Sequence, residues 1–353
     1  MKPFKVGMIG TGGIATSRHI PAFQKLGDHV EVTAVCDVNL DRARAVQKEF
    51  QITHVFEDYT DMFPHVDAVV ICTPNKFHKE ITVAALQAGV HVLCEKPMAL
   101  NGKECEEMVA AQKESGKQLW IAYHYRFMKE AMAAKKVMEE SEIGKPLVVR
   151  IKALRRRKVP GWGVFTNKDL QGGGCLIDYG CHLLDLALWL IDNYEVSEVT
   201  GTTYDVLSKT KDQVNEWGAF DHATFNVEDH ATAYIRLANG TSILFETSWS
   251  ANIEKDEDTL SISGEKGGLD VFPFRLNYAK HGMLWNSEAT YIPSEGEEGF
   301  LQAKSFVDAC LGKIEPVVKP EQAMQVSNII DAIYASSERK ESISLLPLKE
   351  CSS

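Results

Sequence analysis

The sequence predicts an α/β unit built on a parallel sheet, followed by an α+β unit with a large, mostly antiparallel open sheet. Three observations carry this. Up to about residue 122, short apolar strands alternate with helical stretches, the β-α-β rhythm of a parallel sheet. From Lys145 onward the texture changes to apolar–polar alternation with a period of two, the mark of half-buried antiparallel strands. The chain of 353 residues, 44% hydrophobic and 25% charged, is long enough for two proper cores and has the composition of an ordinary globular protein.

The first strand is KVGMIG (5–10), followed by GTGGIA (10–15) and a helical stretch to about Leu26, which Pro21 kinks or splits. The glycine spacing is G-x-G-x-x-A. Gly10 permits the tight turn, Gly12 lets the backbone approach a pyrophosphate, and Ala15 lets the helix pack on the strand. The phosphates would lie on the helix N-terminus, beside Gly13 and Ile14, where free N–H groups attract anions. The second strand, VEVTAVCD (30–37), ends in Asp37, which is 22 residues beyond Ala15. An acid there accepts from adenosine ribose hydroxyls and repels a 2′-phosphate, so NAD is the expected cofactor. Arg42 and Arg44 keep NADP open.

Two further strands, VDAVVICTP (66–74) and VHVLCEKP (90–97), end in polar residues. Ligands gather at the carboxyl ends of parallel strands, which makes Thr73, Pro74, Asn75, His78, Glu95 and Lys96 candidate cofactor contacts. Lys96 on position alone is equally a lysine leaving the core for solvent. A sixth strand, QLWIAYHYRF (118–127), completes a dinucleotide-binding domain of residues 1–122. Residues 123–353 form a substrate-binding and oligomerisation domain, whose C-terminal helix is a candidate to pack back on the first.

In that second part, 146–158, 195–206, 230–250 and 258–274 read as strands, with Asn239-Gly240 a hairpin turn and GEKGG (264–268) another. Two helical stretches, about 297–312 and 320–338, close the chain. The basic run RRRK (155–158), placed in a strand, would point Arg155 and Arg157 one way and Arg156 and Lys158 the other. It is a solvated edge, a subunit contact, or a partner for a hydroxyl-rich or anionic substrate. In GWGVFTN (161–167), Trp162 and Phe165 either stack on a sugar face or anchor the loop.

The stretch GGGCLIDYGCHLLDLALWLI (172–191) reads as a helix apolar all round, which belongs in a core. Yet Asp178, His182 and Asp185 stand at i, i+4 and i+7, one row on one face. A polar row beside a nucleotide site fits hydride transfer with proton relay. His182 is the candidate base, Asp178 orients it or binds a neighbouring hydroxyl, and Lys96 stabilises a developing alkoxide. The competing reading is an internal Asp–His pair that satisfies itself. Cys175 or Cys181 could join a metal set, but no third ligand stands at diagnostic spacing, so no metal is expected.

The net charge of -11 argues against nucleic acid or an anionic membrane as partner. No run of 18 apolar residues occurs, and the first strand leaves no room for a signal peptide. Eight cysteines, at 36, 72, 94, 105, 175, 181, 310 and 351, include no C-x-x-C pair and several sit in apolar runs, as reduced cysteines do. A cytoplasmic protein is the expectation.

GTGGIA, TPN-x-x-H, CEKP and GGG-x-L-x-D-x-G-x-H-x-x-D, in this order, resemble the glucose–fructose oxidoreductase/inositol dehydrogenase (Gfo/Idh/MocA) family of NAD(P)-dependent sugar and polyol oxidoreductases, and the likeness continues through EDHATAYIRLANGTSILFETSW (228–249). The resemblance implies a Rossmann domain, a C-terminal sheet that forms the interface of dimers or tetramers, and Lys96, Asp178 and His182 as the catalytic trio. RRRKVPGWGVFTNKDLQGGG resembles members acting on inositols or pyranoses, some at C3 of the ring. The candidate substrate contacts are Lys96, His124, Arg126, Arg156, Trp162, Asp178 and His182. His124 departs from the family, which often has asparagine there. Two other activities occur on this fold, an NAD-dependent glycosidase and a non-catalytic sugar or nucleotide sensor. Intact Lys96, Asp178 and His182 argue against both.

Overall fold

The structure, a computed structural model, describes residues 2–345. Cys351 and the rest of 346–353, the end of the expected second domain, lie outside the described residues. The chain forms two compact units. The first comprises Met1–Phe127 and Ser294–Met324, the second Met128–Pro293 and Gln325–Ser353.

In the first unit the order is β1 (Phe4–Ile9), α1 (Ile20–Gln24), β2 (Val30–Cys36), α2 (Leu40–Phe50), β3 (His54–Phe56), α3 (Tyr59–Met62), β4 (Ala68–Ile71), α4 (His78–Gln87), β5 (His91–Cys94), α5 (Gly102–Ser115) and β6 (Leu119–Ile121). The six strands form one parallel sheet, ordered β3-β2-β1-β4-β5-β6. The order reverses between β1 and β4, the switch point where such sheets open a ligand crevice. Asn39 and Asn101 cap α2 and α5 by accepting the N–H of Arg42 and Glu104. Between Ala15 and His19 the chain makes a π-turn before α1, so the expected split falls just ahead of Pro21, whose missing N–H denies the helix one bond. β3, short and on the edge, is absent from the sequence reading. The expected strand 118–127 stops at Ile121, and His124–Phe127 is a 3₁₀ turn instead. From the 294–324 segment, helix Glu298–Cys310 sets Phe306 edge-on against Phe23 and Trp120, with centroids 6.4 and 5.8 Å apart.

The second unit contains α6 (Lys129–Glu139), β7 (Pro146–Leu154), α7 (Lys168–Gln171), α8 (Cys181–Ile191), β8 (Val196–Tyr204), β9 (His230–Leu237), β10 (Ser242–Ser248), β11 (Glu257–Gly264), β12 (Gly268–Asp270), β13 (Arg275–Lys280), β14 (Met283–Glu288) and β15 (Ile343–Ser344). They form one sheet, β14-β13-β12-β11-β7-β10-β9-β8-β15, antiparallel except for the β7–β10 pair. Asn239-Gly240 turns β9 into β10 as expected, with φ +91° at Gly240. The β13–β14 hairpin was not expected. Its turn is His281-Gly282, both at positive φ, without the Asn-Gly or Asp-Gly that would announce it.

One face of this sheet is buried, through Val149, Ile151, Ile235, Ile243 and Phe245. The other carries Arg150, Leu244, Tyr234 and Thr200 in one cross-strand row. Helix α8 lies in the core: every residue from Cys181 to Leu190 is buried. The helical stretch 168–191 is long and apolar enough to cross a membrane, and its most apolar window is 89% buried within the protein.

Candidate active site

The first unit supplies the nucleotide cradle. After β1, Gly10 has φ +88°, and a Cβ there would stand 2.7 Å from the Cys72 carbonyl oxygen, so only glycine fits. At Gly12 and Gly13 a Cβ would meet nothing within 4 Å, leaving bare backbone open on that side. Thr73 Oγ1, just beyond β4, is buried without a hydrogen-bond partner. An open glycine edge and a waiting hydroxyl at the switch point are what a dinucleotide's phosphates and ribose need, so the residues present fit NAD.

Asp37 is more heavily engaged than the sequence suggests. Its Oδ2 accepts from Thr11 N–H and Thr11 Oγ1, both at 2.8 Å, and from Arg42 Nε at 3.0 Å. Its Oδ1 accepts from Asn39 N–H at 2.9 Å and Arg42 Nη2 at 2.7 Å. Five donors saturate a carboxylate. Burial pushes this carboxyl up, but the Arg42 hydrogen bond and those from Asn39 and Thr11 outweigh it and hold it below the usual range. Asp37 thus ties the glycine loop to α2 beneath a half-exposed Arg42.

Four sequence-derived candidates lie around the ends of β5 and β6. Glu95 is buried; desolvation raises its carboxyl, but the hydrogen bond to His19 and the charges of His19, Lys96 and Arg18 bring it down to about 2. His78 has no exposed surface, and its two nitrogens face the carbonyls of Pro97 (2.8 Å) and Thr73 (3.0 Å). A neutral ring donates to one of the two, so His78 sits between the turns that follow β4 and β5. His124 meets Arg18 Nη1 through Nδ1 at 3.1 Å. A guanidinium only donates, so Nδ1 accepts and the ring proton sits on Nε2. Burial first, then the charge of Arg18, lowers this histidine to about 3 and keeps it neutral. The Arg126 side chain is fully buried and donates to the Val317 carbonyl and Gln322 Oε1, which ties the turn after β6 to the 317–322 segment.

In the second unit the expected single helix over 172–191 is three pieces. α7 ends at Gly172 (φ +83°), a π-turn spans Leu176–Gly180, and α8 follows. The glycines have separate causes. A Cβ at Gly173 would come within 2.0 Å of Tyr334 Oη, at Gly174 within 1.9 Å of the Glu228 carbonyl oxygen, and at Gly180 within 2.7 Å of Phe245 on β10. The straight i, i+4, i+7 row assumes 3.6 residues per turn, so it does not hold. Asp178 belongs to the wider turn, while His182 and Asp185 are on the α-helix. π-turns recur at functional positions.

What locks this turn was missed by sequence reasoning. The buried Glu228 carboxylate accepts the N–H groups of Gly174 (2.8 Å) and Leu176 (2.9 Å) and the Tyr334 hydroxyl (2.9 Å). Burial nevertheless raises it above the usual carboxylate range. Asp178 Oδ2 accepts from the indole of Trp249, itself fully buried, at 3.1 Å. An acid 50 residues downstream carries no local signal that it caps this helix. His182 is buried, 7% exposed, and Asp185 is completely so.

The RRRK run lies beyond the end of β7 and Arg157 has φ +58°, so the expected strand alternation fails. Arg155 is sandwiched between the rings of Tyr179 and Trp217, 3.9 and 4.5 Å from their centroids. Arg156 binds the Glu254 carbonyl and, through its N–H, Asp256. Arg157 reaches Asn252, and Lys158 pairs with Asp256 and Glu216. The run clamps the 252–256 loop, with Arg156 contributing one guanidinium nitrogen and its backbone N–H. Trp162, 53% exposed, packs on Phe165 and Trp217.

A glycine cradle on a parallel switch-point sheet, with proton-handling side chains in each unit, defines an NAD-dependent oxidoreductase. Residues 4–123 match the model of the oxidoreductase family with NAD-binding Rossmann fold, and 131–270 the GFO/IDH/MocA C-terminal domain. The chain belongs to the GFO/IDH/MocA family and is an NAD(P)-dependent dehydrogenase acting on CH–OH groups. It is 34% identical over 339 residues to the D-glucoside 3-dehydrogenase of Escherichia coli, covering 95% of this chain and 96% of that one. Levoglucosan dehydrogenase of Pseudarthrobacter phenanthrenivorans is 28% identical over 393 residues, with 96% and 97% covered. Among solved structures, an oxidoreductase domain protein from Kribbella flavida superposes with a TM-score of 0.85 at 22% identity, covering 98% of this chain and all of that one. That likeness shows the fold.

Proposed function

We propose that the protein oxidises a ring hydroxyl of a pyranose sugar or cyclic polyol with NAD, and that a glucoside hydroxyl at C3 is the first to test. The observation that supports this best is end-to-end similarity to a D-glucoside 3-dehydrogenase in a chain that carries Lys96, Asp178 and His182. The Gly10–Gly13 turn and Thr73 would hold NAD, which would supply the acceptor for the hydride of the carbon bearing the hydroxyl. In this reading His182 takes the hydroxyl proton, its burial keeping water from competing. Asp178, fixed by the Trp249 indole, orients the imidazole or a neighbouring hydroxyl. Lys96 stabilises the alkoxide that develops. His124, a neutral donor at Nε2, and the half-exposed Trp162 are further candidate substrate contacts. The protein is further read as cytoplasmic and homo-oligomeric.

The test is NADH formation on a panel of methyl glucosides, free pyranoses, inositols and sugar phosphates, with NAD and NADP in parallel. Turnover on a ring sugar or polyol is expected, and His182→Ala should lower kcat by at least ~100-fold with NADH affinity near wild type. Near-normal turnover by His182→Ala would remove that residue from the reaction. No NADH on any substrate, with sugar released from a glycoside, would point to the glycosidase alternative. Binding without either reaction would point to a sensor.

A further inference from the structure

The turn that carries Lys96 is gripped on both sides by buried histidines. On the N-terminal side, His19 Nε2 lies 2.7 Å from Glu95 Oε1, and Glu95 Oε2 accepts the Lys96 N–H at 3.1 Å. The two side chains are only 3% and 8% exposed, so neither is placed to meet a substrate. On the C-terminal side the buried His78 ring lies between the carbonyls of Pro97 and Thr73, with one N–H to donate. His19 is the last residue of the π-turn that leaves the glycine loop, and its neighbour Arg18 reaches His124. One turn of helix thus connects the phosphate cradle to Lys96 through His19 and to His124 through Arg18. Burying an acid against an imidazole is costly, and an apolar pair of the same volume would often stabilise as well or better. Orientation is the remaining reason for such a pair beside a reactive lysine.

We propose that His19 and Glu95 are positioning residues for Lys96, the Glu95 carboxylate transmitting the placement of the π-turn to the Lys96 backbone. This rests on the reading of Lys96 as the group that stabilises the alkoxide. Misplacing a reacting group by about 1 Å can cost ~100-fold in rate, so a loosened turn should show in kcat before it shows in cofactor binding.

His19→Asn and His19→Gln separate the two roles. Gln places an amide N–H where Nε2 stood and keeps the contact with Glu95, whereas the shorter Asn leaves a gap. Two readouts are made on the purified full-length chain. One is the NMR signal of Lys96 after ¹³C reductive methylation, assigned by its absence in Lys96→Met. The other is kcat on the best sugar of the panel, beside NADH Kd by fluorescence titration. The expected result is a displaced or broadened Lys96 signal and a kcat roughly 10- to 100-fold lower in His19→Asn. Both should be largely restored in His19→Gln, with NADH Kd within about threefold of wild type throughout. An unmoved Lys96 signal in His19→Asn, equal kcat in the two variants, or a loss of NADH affinity as large as the loss of kcat would overturn the proposal. Should His19→Asn not fold, His19→Ser is read by the same criteria. Turnover that survives in Lys96→Met would instead sink the role given to Lys96, while the NMR signal still decides whether His19 positions it.

Discussion

Arg42 changes what Asp37 can do. An acid at the end of β2 is expected to bind ribose hydroxyls and repel a 2′-phosphate, yet both oxygens of Asp37 are already taken and a half-exposed guanidinium lies over them. The same cation that blocks the carboxylate would welcome a 2′-phosphate by bidentate contact. The expected outcome is that Arg42→Ala weakens NADP by about tenfold, the scale of one charge-assisted contact, and leaves NAD equal or tighter. Parallel titration of the two reduced cofactors measures it. If NAD weakens as much as NADP, Arg42 serves the shape of the loop and has no part in choosing the cofactor. Asp37 was found by its distance from the glycines. Arg42, five residues on, was noted only as an open question, because nothing in a sequence says whether two neighbouring charges face each other or a ligand.

At the scale of elements, the ends of β5 and β6 depend on histidines that must stay neutral. His91, at the start of β5, accepts the Gln118 N–H through Nδ1 at 2.9 Å; burial first, then the charge of Lys117, lowers it from 6.5 to about 4. His124, after β6, is lowered to about 3. Both folded values lie below the unfolded one, so between about pH 6.5 and 3 the unfolded chain binds more protons and stability falls as pH falls. Glu95 acts lower down: its folded value of about 2 against 4.5 gives stabilisation that is complete above 4.5 and lost on acidification toward 2. The urea midpoint at pH 5 should therefore lie below that at pH 7, and His91→Gln, which keeps an acceptor for Gln118, should narrow the difference. Equal midpoints, or an unchanged difference in His91→Gln, would show that His91 does not resist protonation in the folded state.

At the scale of the whole molecule, the exposed face of the second sheet bears Leu244 (45% exposed), Tyr234 (38%) and Tyr204 (47%) among charged side chains such as Arg236 and Glu198. Antiparallel sheets often leave one face uncovered, and apolar side chains grouped there suit a self-complementary contact. The expected solution mass is that of two or four chains, with Leu244→Asp shifting it toward one. A monomer at micromolar concentration in the unaltered protein would refute the interface. The two-part architecture, the glycine loop, the acid after β2 and the hairpin at Asn239-Gly240 were legible because each is written within some thirty residues: strand period, turn chemistry and motif spacing are local properties of a chain. So was the presence of Asp178 and His182 on an otherwise apolar helix. The π-turn beneath Asp178, the cap that Glu228 and Tyr334 place on it, the Trp249 indole that orients its carboxylate and the His19–Glu95 grip on Lys96 were decided only by the tertiary structure. Each joins residues 50 to more than 150 positions apart, or a close contact that excludes a single Cβ, and such contacts exist only once the chain has packed.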